Sequence, residues 1–136
     1  MSGNLIFALD DDPGRYEHFG RLLEARGCRL VVGCCPVCVS RWADVASAIM
    51  LDHDLNGAVT CACGASNLSQ DDSRPYLKQV ADCSVPVIVS SASSRSNIKF
   101  LMEWLKTAQV ETVSLSAIEP DPELKWLGWL WSVGVL

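Results

Sequence analysis

Two short apolar runs in this chain end on carboxylates, Leu5-Ile6-Phe7-Ala8-Leu9 running into Asp10-Asp11-Asp12 and Ala48-Ile49-Met50-Leu51 into Asp52. Runs this short, apolar on both alternating faces, read as strands buried in a parallel sheet. In such a sheet the strands all end on one side, so the acids at their C-terminal ends share an edge. Converging carboxylates repel and raise one another's pKa unless a cation holds them together. Magnesium is the expected cation, because it uses few carboxylates and completes its shell with water and phosphate. Asp10, Asp11 and Asp52 are therefore the expected metal ligands, and a phosphate-containing small molecule or a nucleic-acid end is the expected partner. Asp12, just before Pro13, fits a helix N-cap instead.

The rest of the chain alternates in the same way. Asn4–Leu9 is the first strand, and 13–26 a helix with Tyr16, Phe19, Leu22 and Leu23 at helical spacing, stopped by Gly27. Residues 28–33 read as a strand, 37–46 as a helix and 48–52 as a strand. The stretch 56–72 turns to Gly, Ala, Ser, Asn and Asp, a long loop that is either functional or mobile. A helix is expected over 74–81, a strand over 85–90, a helix over 97–107, a strand over 111–115 and a last helix over 123–132. Five βα repeats predict one α/β domain, residues 1–136, with a five-stranded parallel sheet and helices on both faces.

Composition narrows the function. The 136 residues carry a formal charge of −5, without the basic excess that a duplex-DNA binder uses to neutralise phosphates. No apolar run reaches the roughly 20 residues that cross a bilayer, and the start does not resemble a signal peptide, so no membrane association and a cytoplasmic location are expected. Seven cysteines in such a chain read as thiols or metal ligands rather than a disulfide framework.

The segments Leu9-Asp10-Asp11-Asp12-Pro13, Leu51-Asp52 and Pro86-Val87-Ile88-Val89-Ser90-Ser91-Ala92 are similar, in order and spacing, to the receiver domains of two-component response regulators. The resemblance implies a sheet of order 2-1-3-4-5, magnesium on Asp10, Asp11 and Asp52, phosphoryl transfer to Asp52, and contact of Ser91 with the phosphoryl oxygens. A receiver carries a lysine at the end of strand five, whereas this chain reads Val113-Ser114-Leu115-Ser116-Ala117. The run Leu51-Asp52-His53-Asp54-Leu55 also resembles the signature of the cyclic-phosphate-processing receiver-like domains, a family proposed to act on cyclic phosphates or related phosphoesters. Those relatives have a His-Ser pair ending strand four, where this chain has Ser90-Ser91.

His53, beside the acids, is a candidate general acid or base. In a regular strand it points away from the face used by Asp52, so packing under a helix explains it equally well. Arg95 and Lys99, after Ser91, are candidate phosphate-binding cations, with an ordinary solvated helix start as the alternative.

Cys35-Pro36-Val37-Cys38 and Cys61-Ala62-Cys63 provide four thiols that close a tetrahedral zinc site if the long loop folds back over the end of strand two. Cys34 is an alternative to Cys35. The last helix, with Trp126, Trp129, Trp131, Leu124, Leu127 and Leu130, is apolar around most of its circumference. Either a second face meets a partner, most simply a second copy of the chain in a homodimer, or the helix is wedged fully inside the domain. Three functions stand open: a magnesium-dependent phosphoesterase with Asp52, His53 and Ser91 as its catalytic residues, a non-enzymatic receiver-like signalling or interaction module, and a zinc-stabilised interaction protein.

Overall fold

Side chains alternate along β1 (Leu5–Leu9), sending Ile6 and Ala8 into one core and Phe7 and Leu9 into another. The computed structural model describes residues 4–10, 13–52, 61, 63–64, 80, 85–91, 99, 103, 105, 112–116 and 122–136. β2 (Arg29–Gly33), β3 (Ala48–Leu51), β4 (Val87–Ser91) and β5 (Thr112–Ser116) join β1 in a parallel sheet of order β2-β1-β3-β4-β5. β3, β1 from Ile6 onward and Val87–Val89 of β4 are buried, as strands with helices on both faces must be.

On one face, Ile6, Ala8, Ala48, Met50 and Ile88 meet α1 (Glu17–Glu24) and α3 (Pro122–Ser132). On the other, Phe7, Leu9, Ile49, Leu51, Val87 and Val89 meet α2 (Pro36–Trp42) together with Val80 and Leu105, which are themselves helical. At the outer strand, the guanidinium groups of Arg29 and Arg41 lie 5.3 and 5.4 Å from the Trp42 ring centroid, close enough for cation–π attraction.

The helix ends follow local chemistry. Gly27, at φ +74, supplies the left-handed residue that ends α1 and lets the Cys28 amide bond back to the Leu23 carbonyl. Gly134, at φ +81, ends α3 in the same way, with the Val135 amide on the Leu130 carbonyl. The chain then returns to the start of β1, where the Asn4 side-chain amide donates to the Val135 carbonyl at 2.6 Å.

Several boundaries differ from expectation by a few residues, most clearly those of the first two helices. The helix expected from Pro13 begins as a 3-10 turn, Pro13–Tyr16, before α1; Gly14 has low helix propensity and first turns commonly tighten this way. α2 starts at Pro36, because Cys35 is its N-cap and a first-turn proline needs no hydrogen-bond partner. It also stops at Trp42, and the chain tightens there: the amides of Val45 and Ala46 both bond to the Trp42 carbonyl. Most of the helices expected over 74–81 and 97–107 lies outside the described residues.

Trp126, Trp129 and Leu130 are buried, whereas Leu124 is 67% and Trp131 74% exposed. This overturns full enclosure of the last helix. Its outer side instead borders a groove of about 500 Å³ lined by Arg26, Leu124, Leu127, Gly128, Trp131 and Leu136. No helix among the described residues is long and apolar enough to cross a membrane.

Candidate functional site

Leu9 of β1 is paired with Leu51 of β3, so the next residues, Asp10 and Asp52, leave the sheet from adjacent strand ends. The Asp52 amide donates to the Leu9 carbonyl at 2.9 Å and the Asp10 amide to the Gly33 carbonyl at 3.0 Å. Main-chain bonds from both neighbouring strands thus hold the two acids at one edge. Both are enclosed, with 1% of Asp10 and 3% of Asp52 exposed. A carboxylate removed from water to this degree has to be hydrogen-bonded, protonated or held by a cation. The Tyr16 hydroxyl donates to Asp10 Oδ2 at 2.9 Å.

The described donors are hard carboxylate oxygens, a set that suits magnesium and not a thiophilic metal. Asp10 and Asp52 fit that ion, and Asp11 lies outside the described residues. Bound there, magnesium would neutralise the charge of a phosphate group. Ser91 ends β4, the strand beside β3, with its backbone at this same edge, and its partner in β5 is Ser116. Lys99 occupies an exposed helical position. His53 and Arg95 lie outside the described residues.

The cysteines assemble beside this edge. Cys34 and Cys35 follow β2 directly, Cys38 lies in the first turn of α2, and Cys61 and Cys63 come from the segment after β3. The four sulfurs of Cys35, Cys38, Cys61 and Cys63 all lie within 4.8 Å of one another. Cys35 Sγ is 3.3 Å from Cys63 Sγ, and Cys38 Sγ is 3.6 Å from Cys61 Sγ. Cys34 stays outside the group, but its amide donates to Cys61 Sγ at 3.1 Å. The Cys38 amide likewise points to Cys35 Sγ at 3.5 Å.

These surroundings divide the thiols. Burial pushes Cys38 and Cys35 up, and for Cys38 the adjoining cysteines push the same way. Burial acts upward on Cys61 too, but hydrogen bonds from the amides of Cys63 and Cys34 and from the thiols of Cys34 and Cys38 outweigh it and bring Cys61 down to about 6.

Two contributors are invisible to motif spacing. Tyr16 fits the apolar face of a helix, yet its hydroxyl serves Asp10; its only sequence signal is a polar-tipped aromatic shortly after the acids. Gly33 leaves room for Cys38, since a Cβ there would run into the Cys38 Cβ and lie 2.8 Å from its Sγ.

No family model matches the chain, and no curated protein does. Solved structures do. A CheY-like response regulator receiver domain protein from Methanospirillum hungatei JF-1 superposes with a TM-score of 0.67 at 10% identity, covering 96% of this chain and 93% of that one. The fold is receiver-like. The BeF3-activated N-terminal receiver domain of Klebsiella pneumoniae RstA matches with a TM-score of 0.60 at 16% identity, over 96% of this chain and 97% of that one. The receiver domain of the sensor histidine kinase PA1611 from Pseudomonas aeruginosa PAO1, with a magnesium ion coordinated in its active site cleft, matches with a TM-score of 0.60 at 18% identity. That alignment covers 95% of this chain and 97% of the other.

Proposed function

We propose that this chain is a receiver-like signalling or interaction module that binds magnesium and, through it, a phosphate group at the edge formed by Asp10 and Asp52. The observation that carries this reading is the enclosure of both acids at the adjacent ends of β1 and β3. The magnesium ion in the receiver domain of PA1611 supports it. Asp11 belongs to the same proposed ligand set, and Ser91, with Arg95 and Lys99, to the phosphate side. The sequence over 112–117 contains no lysine, so β5 offers no ammonium group to stabilise a phosphorylated Asp52. The module accordingly works with a bound phosphate rather than a lasting aspartyl phosphate.

Trp126 provides a built-in reporter. Its ring centroid lies 5.3 Å from that of Tyr16, whose hydroxyl is bonded to Asp10. Magnesium titration followed by tryptophan fluorescence should saturate, and Asp52→Asn should weaken affinity by at least about tenfold, or 1.4 kcal/mol. Equal affinity in the variant would remove Asp52 from the site.

A second reading, hydrolysis of cyclic phosphates or related phosphoesters, rests on Leu51-Asp52-His53-Asp54-Leu55. There His53 would move a proton, and His53→Ala would slow turnover by about 10²–10⁴. Magnesium-dependent turnover of 2′,3′-cyclic phosphates, abolished in Asp52→Asn, would establish this reading over the binding one. Its absence across a panel of cyclic and linear phosphoesters would sink it.

A further inference from the structure

We propose that Cys35, Cys38, Cys61 and Cys63 hold one structural zinc ion as a tetrathiolate, independently of what the acidic edge binds. Zinc with four thiolates is tetrahedral, and bonds of about 2.3 Å set the sulfurs about 3.8 Å apart. The observed separations of 3.3 and 3.6 Å, and the 4.8 Å limit for the whole group, fit a cage around a single ion. An iron–sulfur cluster needs its thiolates spread more widely around several metals, and soft sulfur donors exclude magnesium or calcium.

The surroundings fit a closed site. Cys35, Cys38 and Cys61 are buried in one core with Phe7, Val39 and Leu51, and Cys63 alone of the four is exposed. All four tetrahedral positions are taken by protein, which makes the ion structural rather than catalytic. As each S–Zn bond forms, a thiol gives its proton to solvent, and the loaded site is a dianion. The amides of Cys34 and Cys38, already aimed at Cys61 and Cys35, offset part of that charge. The ion would tie the segment leaving β3 to the N-terminus of α2, so its binding free energy becomes local folding free energy.

Elemental analysis of the full chain purified without chelator should find about one zinc per chain. Cys35→Ser and Cys61→Ser should each lower zinc retention against a competing chelator by at least about tenfold. Cys28→Ala, on the opposite face of the sheet, should retain the metal. Because a serine variant can fail to fold, the unmodified protein supplies the second measurement. Its reduced, metal-free form should take up about one cobalt(II) with the visible bands and sulfur charge-transfer absorption of a tetrahedral thiolate site, and zinc should bleach them. Uptake of cobalt without those bands, iron as the native metal, or no stoichiometric zinc after incubation with it would each overturn the proposal.

Discussion

At Gly33 the backbone of β2 passes so close to Cys38 that only the absence of a side chain permits the contact. Gly33→Ala forces α2 away from the strand, with an overpacking cost of about 1–3 kcal/mol. Urea unfolding measures the loss, and thiol-reactivity kinetics should show the cysteines opened. An unchanged midpoint would mean that α2 shifts freely. This residue also shows where pattern reading stops: C-x-x-C and C-x-C spacing brought forward the four cysteines, but nothing local marks the glycine that makes room for them. The acids behave similarly. Asp10 and Asp52 stood out as charges at the ends of buried strands, whereas the hydroxyl of Tyr16 reaches Asp10 only because the 3-10 turn places it there.

Among the elements, α3 shows how an apolar helix divides its surface. Trp126 is 2% exposed and lies between Tyr16 and Phe19, with ring centroids 5.3 and 5.1 Å away. Trp131, five residues on, is 74% exposed. Trp126→Ala should therefore cost about 3–5 kcal/mol, and Trp131→Ala should stay within about 0.5 kcal/mol of the parent in dilute solution. Denaturant unfolding of both variants checks this; similar losses would contradict the division of faces. Trp126→Phe separates the indole N–H, which finds no acceptor among the described residues, from the ring packing. A buried N–H without a partner is itself destabilising, so phenylalanine should recover most of what alanine loses. The helix was legible from its leucines and tryptophans, but the division between buried and exposed tryptophans was not, because composition that is apolar all round carries no directional signal.

Across the whole molecule, the sheet separates two cores with different dependences. The face carrying α2 contains Cys35, Cys38 and Cys61 of the thiol cluster, and the face carrying α1 and α3 contains the aromatic cluster of Tyr16, Phe19 and Trp126. Stripping the zinc proposed for the cysteine cluster, under reducing conditions, should loosen only the first. In hydrogen exchange the amides of Cys34 and Cys38 should lose protection while those of Ile6 and Ala8 keep it. The melting midpoint should fall by about 3–6 °C for each kcal/mol lost in a chain of this size. Equal loss of protection on both faces would show that the cysteine cluster is not a local anchor. The acidic edge and the cluster occupy neighbouring strand ends, with Asp10 bonded through its amide to the Gly33 carbonyl. A structural ion in the cluster would thus be positioned to steady the acidic edge.

By itself the sequence determined the α/β parallel architecture and brought forward the carboxylates and thiols as candidates. Short continuous apolar runs and period-3.6 helices are local patterns, and carboxylates and thiols announce themselves by type. Only the tertiary structure decided which thiols meet: it admits Cys35 to the cluster and leaves Cys34 as an amide donor. It likewise decided which carboxylate the Tyr16 hydroxyl serves and which tryptophan is left in water. Those outcomes depend on the distance and direction between segments far apart in the chain, which are fixed by packing across the sheet rather than by any local run of residues.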